Sequence, residues 1–351
     1  MTQVNGEAPE RSKLHLSGAS LTRRRVALLL GVAVGLGVAI VGSIAIGANP
    51  LSVTQVWNGL VHRDESEASL IVWTLRGPRT WLGIVAGAAF GVAGALIQAL
   101  TRNPLADPGI LGVNDGAGFA VTLGAGILGI SGISGNIWFA FLGAAAATVL
   151  VALIGSAGNG GMNPVTLVLA GVALSAVFGG VSTFLTLIDE HTFRTVHNWG
   201  LGSIARGSLS DTMTVVPFLA MGLILACALA QPLNSIALGD ELAASLGVHV
   251  GRTRIFTVAA VTLLAGGATA LTGGLAFVGL MVPHIVRWCT GPDQRWIIAC
   301  SALAAPVLVL FADVLGRIIA FPGEIEVGIL TALIGAPMLI ALVRSKKASG
   351  L

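Results

Sequence analysis

Long apolar stretches alternate with short polar segments along most of this chain. Because a helix of about 20 residues crosses the hydrocarbon core of a bilayer, the pattern predicts ten membrane-spanning helices. In chain order the predicted spans are 26–47, 79–100, 111–130, 136–156, 165–188, 212–232, 253–272, 274–289, 297–320 and 326–343. The seventh and eighth are the least clearly separated, since the Gly-rich sequence TALTGGLAFVGL contains no polar loop. We therefore expect an all-α fold, a polytopic membrane protein with about ten transmembrane helices.

Polar residues precede the first apolar stretch. Residues 1–22 predict a disordered cytoplasmic tail, and Arg23, Arg24 and Arg25 then flank the start of the first span. A secretory signal peptide would require a polar domain behind it, whereas the chain stays hydrophobic downstream. The pattern favours a membrane anchor that opens a single transmembrane domain over 23–347.

The composition agrees with a lipid environment. The mean hydropathy is +0.90, only 10% of residues are charged, and 48 glycines accompany the apolar majority, as in helical membrane proteins with small-residue contacts. The three cysteines, Cys227, Cys289 and Cys300, show no CxxC spacing, so neither a disulfide framework nor a zinc site is indicated. Membrane lipid is the expected surrounding partner, and no nucleic acid is expected.

The basic residues predict the orientation. With a cytoplasmic N-terminus, thirteen Lys and Arg residues fall on the cytoplasmic side and six on the outer side, in keeping with the positive-inside rule. The seven tryptophans lie near predicted span ends, as an aromatic belt requires. Both termini are therefore expected in the cytoplasm.

The polar segment ALGDELAASLGVHVGRTR, residues 237–254, predicts a small amphipathic helix that contacts another protein. Asp240 and Glu241 suit a helix N-terminus, Leu242 and Leu246 share one face, and Gly247 suits a C-terminal stop. An ordinary connecting loop is the alternative, although a loop does not need a capped amphipathic turn.

The source of energy is constrained by the lysines, which occur only at positions 13, 346 and 347. No Gly-rich phosphate-binding loop ending in Lys-Ser/Thr can exist in the spans or their loops, so any ATP is bound by a partner. Asp115, Asp313 and Gln98 are sparse for a buried ion relay, which disfavours an ion-driven secondary transporter.

A membrane-embedded serine protease is an alternative of another class. The sequence GISG at 129–132 matches the GxSG pattern, and His191 could serve as its base. The motif falls in a Gly/Ser-rich turn at the end of a span, and this function would leave the 237–254 segment unexplained.

Eight motifs in order resemble the FecCD-type permease family of ABC importers for iron siderophores, haem and cobalamin. They are RGPR (76–79), GALIQALTRNPLADPGILG (94–112), LAGVALS (169–175), NWGLGS (198–203), ALGDELAASLG (237–247), GGLAFVGLMVPHIVR (273–287), LFADVLGR (310–317) and VGILTALIGAP (327–337). The resemblance implies the type II ABC importer permease architecture and passage of a ferric siderophore or related iron chelate. Haem or cobalamin is the alternative cargo.

The resemblance also implies partners. They are a second permease subunit, identical or paralogous, two cytoplasmic ATP-binding subunits, an extracytoplasmic substrate-binding lipoprotein and the ferric chelate. ATP and Mg would be held by the ATPase, and this chain would carry no catalytic residue, cofactor or metal. The expected location is the inner (cytoplasmic) membrane.

Three groups of site residues follow from the resemblance. The expected ATPase-coupling residues are Asp240, Glu241, Leu242, Leu246 and Gly247, within a segment at about 237–252. The expected binding-protein docking residues are Arg76, Arg79 and Arg317, although snorkelling at the interface could also explain them. Small-residue stripes, which also suit tight helix packing, would line the pathway at Gly171, Ser175, Gly179, Thr183, Gly328, Thr331 and Gly335.

The sequence departs from the family pattern in GEIEVG, where Glu326 replaces a usual proline. Because Glu326 is close to Arg317 in sequence, we expect an ion pair between them, with Glu324 affecting mainly local helix geometry. Pro283 and His284 are expected to end a helix in a cytoplasmic turn. His284 has no second ligand at metal-binding spacing, so a structural role is favoured.

Overall fold

The computed structural model describes residues 18–130, 133–156 and 164–344, and within these ranges the chain forms thirteen α-helices, one short 3-10 helix at Pro108–Leu111 and no strand. Two helices, α3 and α10, each contain a short π-helical segment, at Ile71–Arg76 and Thr262–Gly266. In chain order the helices are α1 Gly18–Ala45, α2 Val53–Val61, α3 Glu67–Thr101, α4 Val113–Leu128, α5 Ile133–Ser156, α6 Pro164–Ile188, α7 Glu190–Gly200, α8 Leu209–Ile236, α9 Asp240–Ser245, α10 Val250–Thr272, α11 Val278–Thr290, α12 Gln294–Ile319 and α13 Val327–Arg344.

Seven of these helices, α1, α3, α5, α6, α8, α10 and α12, are long and apolar enough to cross a membrane. The shorter helices α4, α11 and α13 complete a bundle of ten, while α2, α7 and α9 lie in connections. The predicted bundle of about ten spans is confirmed, but α3 begins at Glu67 and α1 at Gly18, well before the predicted starts at 79 and 26. We call the end of the bundle at which α1 begins the near end, and the end at which α1 stops the far end.

Helix α3 is the centre of the bundle. In its most apolar 18-residue window 78% of the residues are buried, against 6% in α1 and 17% in α6. Glycines allow this close packing: a Cβ on Gly87 would lie 2.7 Å from the Cα of Pro306 in α12, and one on Gly94 would lie 1.8 Å from the Gly279 carbonyl oxygen in α11. Small residues therefore permit close backbone approach in this apolar core.

Side chains cap the helices that begin in the connections. The side-chain oxygens of Ser52, Asp189, Ser208 and Asp293 accept hydrogen bonds from backbone N–H groups in the first turns of α2, α7, α8 and α12. Each cap satisfies a donor that the helix itself leaves unpaired. The polar residues between apolar stretches thus fix where the helices start.

Three local expectations require correction. Helix α1 begins at Gly18, so residues 18–22 belong to a helix, and residues 1–17 of the predicted tail lie outside the described residues. Pro283 and His284 lie inside α11 and do not form a turn after it. A turn at 273–277 instead separates the seventh and eighth spans, with left-handed backbone at Gly273 and Phe277.

Candidate functional site

The near end carries the short helix α9, the predicted coupling segment. Its N-terminal turn holds Asp240 and Glu241, which complement the helix dipole. Gly247 is left-handed, with φ of 83°, and closes a Schellman motif: its N–H donates to the Ala244 carbonyl at 2.9 Å, and the Val248 N–H donates to the Ala243 carbonyl at 3.0 Å. The predicted helix and its glycine stop are confirmed.

One face of this segment is apolar and open. Leu242 is 49% exposed and Leu246 is 60% exposed, and Leu238 just before the helix is 63% exposed. Ala243, by contrast, is fully buried against the bundle. Leu238, Leu242, Leu246 and the exposed Glu241, which we call the α9 face, form an apolar surface with an acidic edge, suitable for a protein contact.

Asp240 has a different role from its neighbours in the segment. One of its carboxylate oxygens pairs with Arg102, just after α3, and the other accepts from Nη2 of Arg254 in α10 at 2.7 Å. Arg102 Nε also donates to the carbonyl of Ile236, the last residue of α8, at 2.9 Å. Asp240 and Arg102 therefore tie α9 to the near ends of three long helices.

The far end carries a buried cluster of charges around Asp313 in α12. Asp313 is 1% exposed and accepts hydrogen bonds from Arg79 Nη2 at 2.6 Å and from Arg317 Nε at 3.0 Å. Two guanidinium groups thus share one carboxylate, which suits a group removed from water. Asp313, seen in the sequence only as a lone intramembrane carboxylate, joins α3 to α12.

Arg76 and Arg317 also hold the far end of α1. Both side chains are nearly fully buried, at 4% and 3% exposure, and their guanidinium groups donate to carbonyls that the helix end leaves unpaired. At 2.6–2.9 Å these carbonyls belong to Ile44, Ala45 and Asn49 for Arg76, and to Ser43 and Ile46 for Arg317. The side chains of the three predicted docking arginines therefore bind partners within the chain, which argues against the alternative that they snorkel to the membrane interface.

The expected pair between Glu326 and Arg317 is wrong. Glu326 pairs with Arg206, in the loop before α8, while Arg317 bonds to Asp313 one turn earlier on its own helix. Glu324, expected to affect mainly helix geometry, accepts from Arg79 Nη1 at 2.6 Å. Closeness in sequence failed here because the turn before α13 directs Glu324 toward α3 and Glu326 toward the loop before α8.

A cavity of about 220 Å³ opens at the far end beside this cluster. Its lining includes all three arginines and one acid, and it is bordered by the residues that follow α1. The lining residues are Gly47, Ala48, Asn49, Ile71, Leu75, Arg76, Arg79, Ala205, Arg317 and Glu324. The arginines are thus buried by their partners and still border a positively charged opening.

The seven predicted pathway residues divide into two groups. Gly171, Gly328 and Gly335 are packing contacts, since an added Cβ would lie 2.0–2.3 Å from Ile110, Leu201 and Phe277. Thr331 is buried and donates to the Gly328 carbonyl. Ser175, Gly179 and Thr183 of α6 instead lie on its open side, where a Cβ on Gly179 would have no neighbour within 4 Å.

Sequence reasoning missed Arg102 and Arg206 as partners of acids. Arg102 has left-handed backbone, with φ of 50°, directly after α3, and no sequence pattern links it to Asp240, which is 138 residues away.

The GISG motif of the protease alternative lies partly outside the described residues, since residues 131 and 132 are not described.

Comparison with known proteins gives consistent matches over nearly the whole chain. A model of the FecCD transport family matches residues 29–345. The ferric enterobactin transport system permease FepD of Escherichia coli is 44% identical, over 95% of this chain and 100% of that protein. The iron(3+)-hydroxamate import permease FhuB of Bacillus subtilis is 37% identical, over 87% of this chain and 79% of that protein. A solved metal-chelate type ABC transporter in an inward-facing conformation has 27% identity and a TM-score of 0.80, covering 91% of this chain and 99% of its own.

Proposed function

The chain belongs to the FecCD transport family, and from this membership we propose that it is a permease subunit of an ABC importer that passes a ferric siderophore into the cytoplasm. The supporting observation is the match to iron-chelate permeases over nearly the full chain, FepD above all. The cargo crosses without chemical change, and the energy comes from ATP hydrolysis on partner chains.

The near end would be the cytoplasmic side. Its α9 face offers three exposed leucine side chains and one carboxylate to a cleft on an ATPase subunit. Because each leucine is already about half buried, its burial on docking would contribute on the order of 1 kcal/mol before the costs of association. Because Asp240 and Arg102 tie α9 to α3, α8 and α10, movement of the ATPase would be transmitted to these helices as a unit.

The far end would face the substrate-binding lipoprotein. The cavity bordered by Arg76, Arg79 and Arg317 could receive a carboxylate side chain of that partner. The partner carboxylate would then compete with Glu324 for Arg79. Two permease subunits, with two ATPases, would enclose the pathway between them and open it alternately to each side.

Uptake in proteoliposomes tests the proposed function. The purified permease, its ATPase and its binding protein would be reconstituted, and radioactive iron would be supplied as a panel of ferric chelates. We expect uptake that requires ATP and the binding protein and survives collapse of ion gradients. Uptake that persists without ATP but disappears with an ion gradient would support a secondary transporter instead.

Binding-protein affinity for the reconstituted permease tests the docking role. We expect Glu324→Gln to bind a few-fold more tightly, since it removes the internal competitor for Arg79, and Arg79→Gln to bind about tenfold more weakly at low salt. Arg194→Gln is the matched control, because Arg194 is an exposed arginine paired with Glu190 within α7. Equal affinities for all three variants would contradict docking at this cavity.

A further inference from the structure

The carboxylate of Asp115, in the first turn of α4, lies on the open side of the bundle. Its neighbour Asn114 faces inward and accepts a hydrogen bond from Thr269 of α10 at 2.8 Å. In the part of the chain that the structure describes, Asp115 accepts a hydrogen bond from the Ser175 hydroxyl of α6 and forms no ion pair. An exposed acid thus lies between two helices of the bundle.

Two contacts place this acid near the middle of the membrane. Ser175 is eleven residues after Pro164, the near end of α6, which corresponds to about 16 Å of helix. A Cβ on Gly116 would lie 2.6 Å from the Gly143 carbonyl oxygen of α5, and Gly143 is thirteen residues, about 20 Å, from the near end of α5 at Ser156. Both estimates put Asp115 deep within a hydrocarbon core about 30 Å thick.

The backbone before α4 lies at a similar depth. A Cβ on Gly171 would lie 2.0 Å from the Ile110 carbonyl oxygen, and Gly171 is seven residues, about 10 Å, from the near end of α6. Irregular backbone is tolerated at membrane depth only where protein buries it or where it borders water. The connection at 102–112, which includes a 3-10 helix at Pro108–Leu111, therefore packs against the buried side of α6 at this depth.

Lipid is an unsuitable neighbour for this face. A carboxylate exposed to lipid at the bilayer centre is strongly unfavourable, and one hydroxyl offsets little of that cost. The neighbouring positions on α6, Gly179 and Thr183, continue the small and polar character toward the far end. Water in a transport pathway would satisfy the carboxylate and the hydroxyl together.

We propose that Asp115 is a specificity-determining residue that gives the intramembrane pathway a negative potential and favours neutral or cationic ferric chelates over polyanionic ones. This proposal rests on the proposed function. Three hydroxamates neutralise ferric iron, whereas three catecholates leave a polyanion, so the acid opposes the catecholate class, and the expected cargo differs in charge from the ferric enterobactin carried by FepD. Within a few ångströms of the acid, Coulomb repulsion of a polyanion and attraction of a cation discriminate between such complexes even when water is present.

Cysteine labelling tests the potential without requiring transport. In a background with Cys227, Cys289 and Cys300 replaced by alanine, Gly179→Cys in the assembled transporter is treated with a cationic and an anionic methanethiosulfonate reagent. We expect the cationic reagent to be favoured, and Asp115→Asn to lower the ratio of the two rates about tenfold. Ser175→Ala, which keeps the carboxylate, should preserve the ratio. Val34→Cys, on the 67% exposed position of α1, should remain unlabelled as a lipid-facing control.

Failure to label Gly179→Cys with either reagent would show that lipid or protein covers this face. An unchanged ratio in Asp115→Asn would show that the acid sets no potential. Either result overturns the proposal.

Uptake of ferric desferrioxamine with a free, acetylated or succinylated amine provides a second test, because the terminal group is then positive, neutral or negative. We expect uptake to fall in that order and the order to flatten in Asp115→Asn. Uptake with the same order in both proteins would overturn selection by Asp115. Absence of ATP-driven uptake of any ferric chelate, with the labelling ratio intact, would refute only the proposed function.

Discussion

The near end and the far end of this protein both carry charged motifs, yet the structure uses the charges in opposite ways. At the near end the α9 face remains exposed, while Asp240 beside it pairs with Arg102 and Arg254. At the far end Arg76 and Arg317 are buried, and their donors already meet carbonyls and a carboxylate. A charged motif therefore marks an open surface at one end and an internal joint at the other.

The physical reason lies in what surrounds each group. Helix α9 is six residues long and projects from the bundle, so most of its side chains meet solvent. The far-end arginines instead sit where α1, α3 and α12 end together, and the unpaired carbonyls of α1 require donors. Substitutions at the far end should consequently lower the stability of the permease. Substitutions at the near end should impair its assembly with the ATPase and its coupling to ATP hydrolysis.

The largest effect is expected from Asp313→Asn at the far end. Removal of this charge leaves the buried Arg317 without an anion and Arg79 with Glu324 alone, at a cost of about 3–5 kcal/mol in unfolding free energy. We expect a strongly lowered thermal midpoint in detergent and poor yield. Glu324→Gln, at a carboxylate that is 34% exposed, should lower the midpoint only slightly. Similar midpoints for both variants would contradict a structural role for the cluster.

The next effect concerns the α9 face. Glu241→Lys combined with Leu242→Asp should abolish uptake and weaken ATPase binding by at least tenfold, because it removes apolar area and reverses a charge. The thermal midpoint of the isolated permease should not change, since both side chains are exposed. Glu190→Lys with Leu209→Asp makes the same changes at exposed far-end positions and serves as the control. Normal ATPase binding and uptake in the α9 variant would refute the coupling assignment.

A smaller effect is expected where α9 joins the bundle. Arg102→Gln removes the pair with Asp240, whose side chains are 37% and 43% exposed, so about 1 kcal/mol is at stake. We expect ATPase binding to persist while the amount of iron transported per ATP hydrolysed falls several-fold. Arg252→Gln, at an exposed arginine close to Arg254 in α10, should leave this ratio unaltered. A drop in ATPase affinity with normal transport per ATP would place Arg102 in the docking surface instead.

The smallest effect is expected for the far-end surface pair of Arg206 and Glu326. A double-mutant cycle with Arg206→Gln and Glu326→Gln should give a coupling energy of about 0–1 kcal/mol in detergent unfolding, because both side chains are partly exposed. The parallel cycle with Arg317→Gln and Glu326→Gln should give no coupling. Coupling in the second cycle alone would restore the pair expected from sequence proximity.

Hydrophobic periodicity and composition were sufficient for the fold class and the span map. A bilayer demands about 20 apolar residues per helix and internally satisfied backbone, so the ten spans could be placed along the chain, although α1 and α3 extend beyond their predicted starts. The α9 helix could also be predicted, because a capped amphipathic turn is a local pattern. Asp240, Glu241 and Gly247 lie where local rules place them.

The sequence by itself determined the elements of this protein, whereas only the tertiary structure decided which charges are free. The pairings of Asp240 with Arg102, Asp313 with Arg79 and Glu326 with Arg206 join residues 120 or more positions apart. Which helix ends meet depends on the packing of α3 against its neighbours through glycines, a property of the whole bundle. The hydrogen-bond partners and the burial of each arginine follow from that packing. They decide whether the arginine is free to bind another protein or holds a helix end.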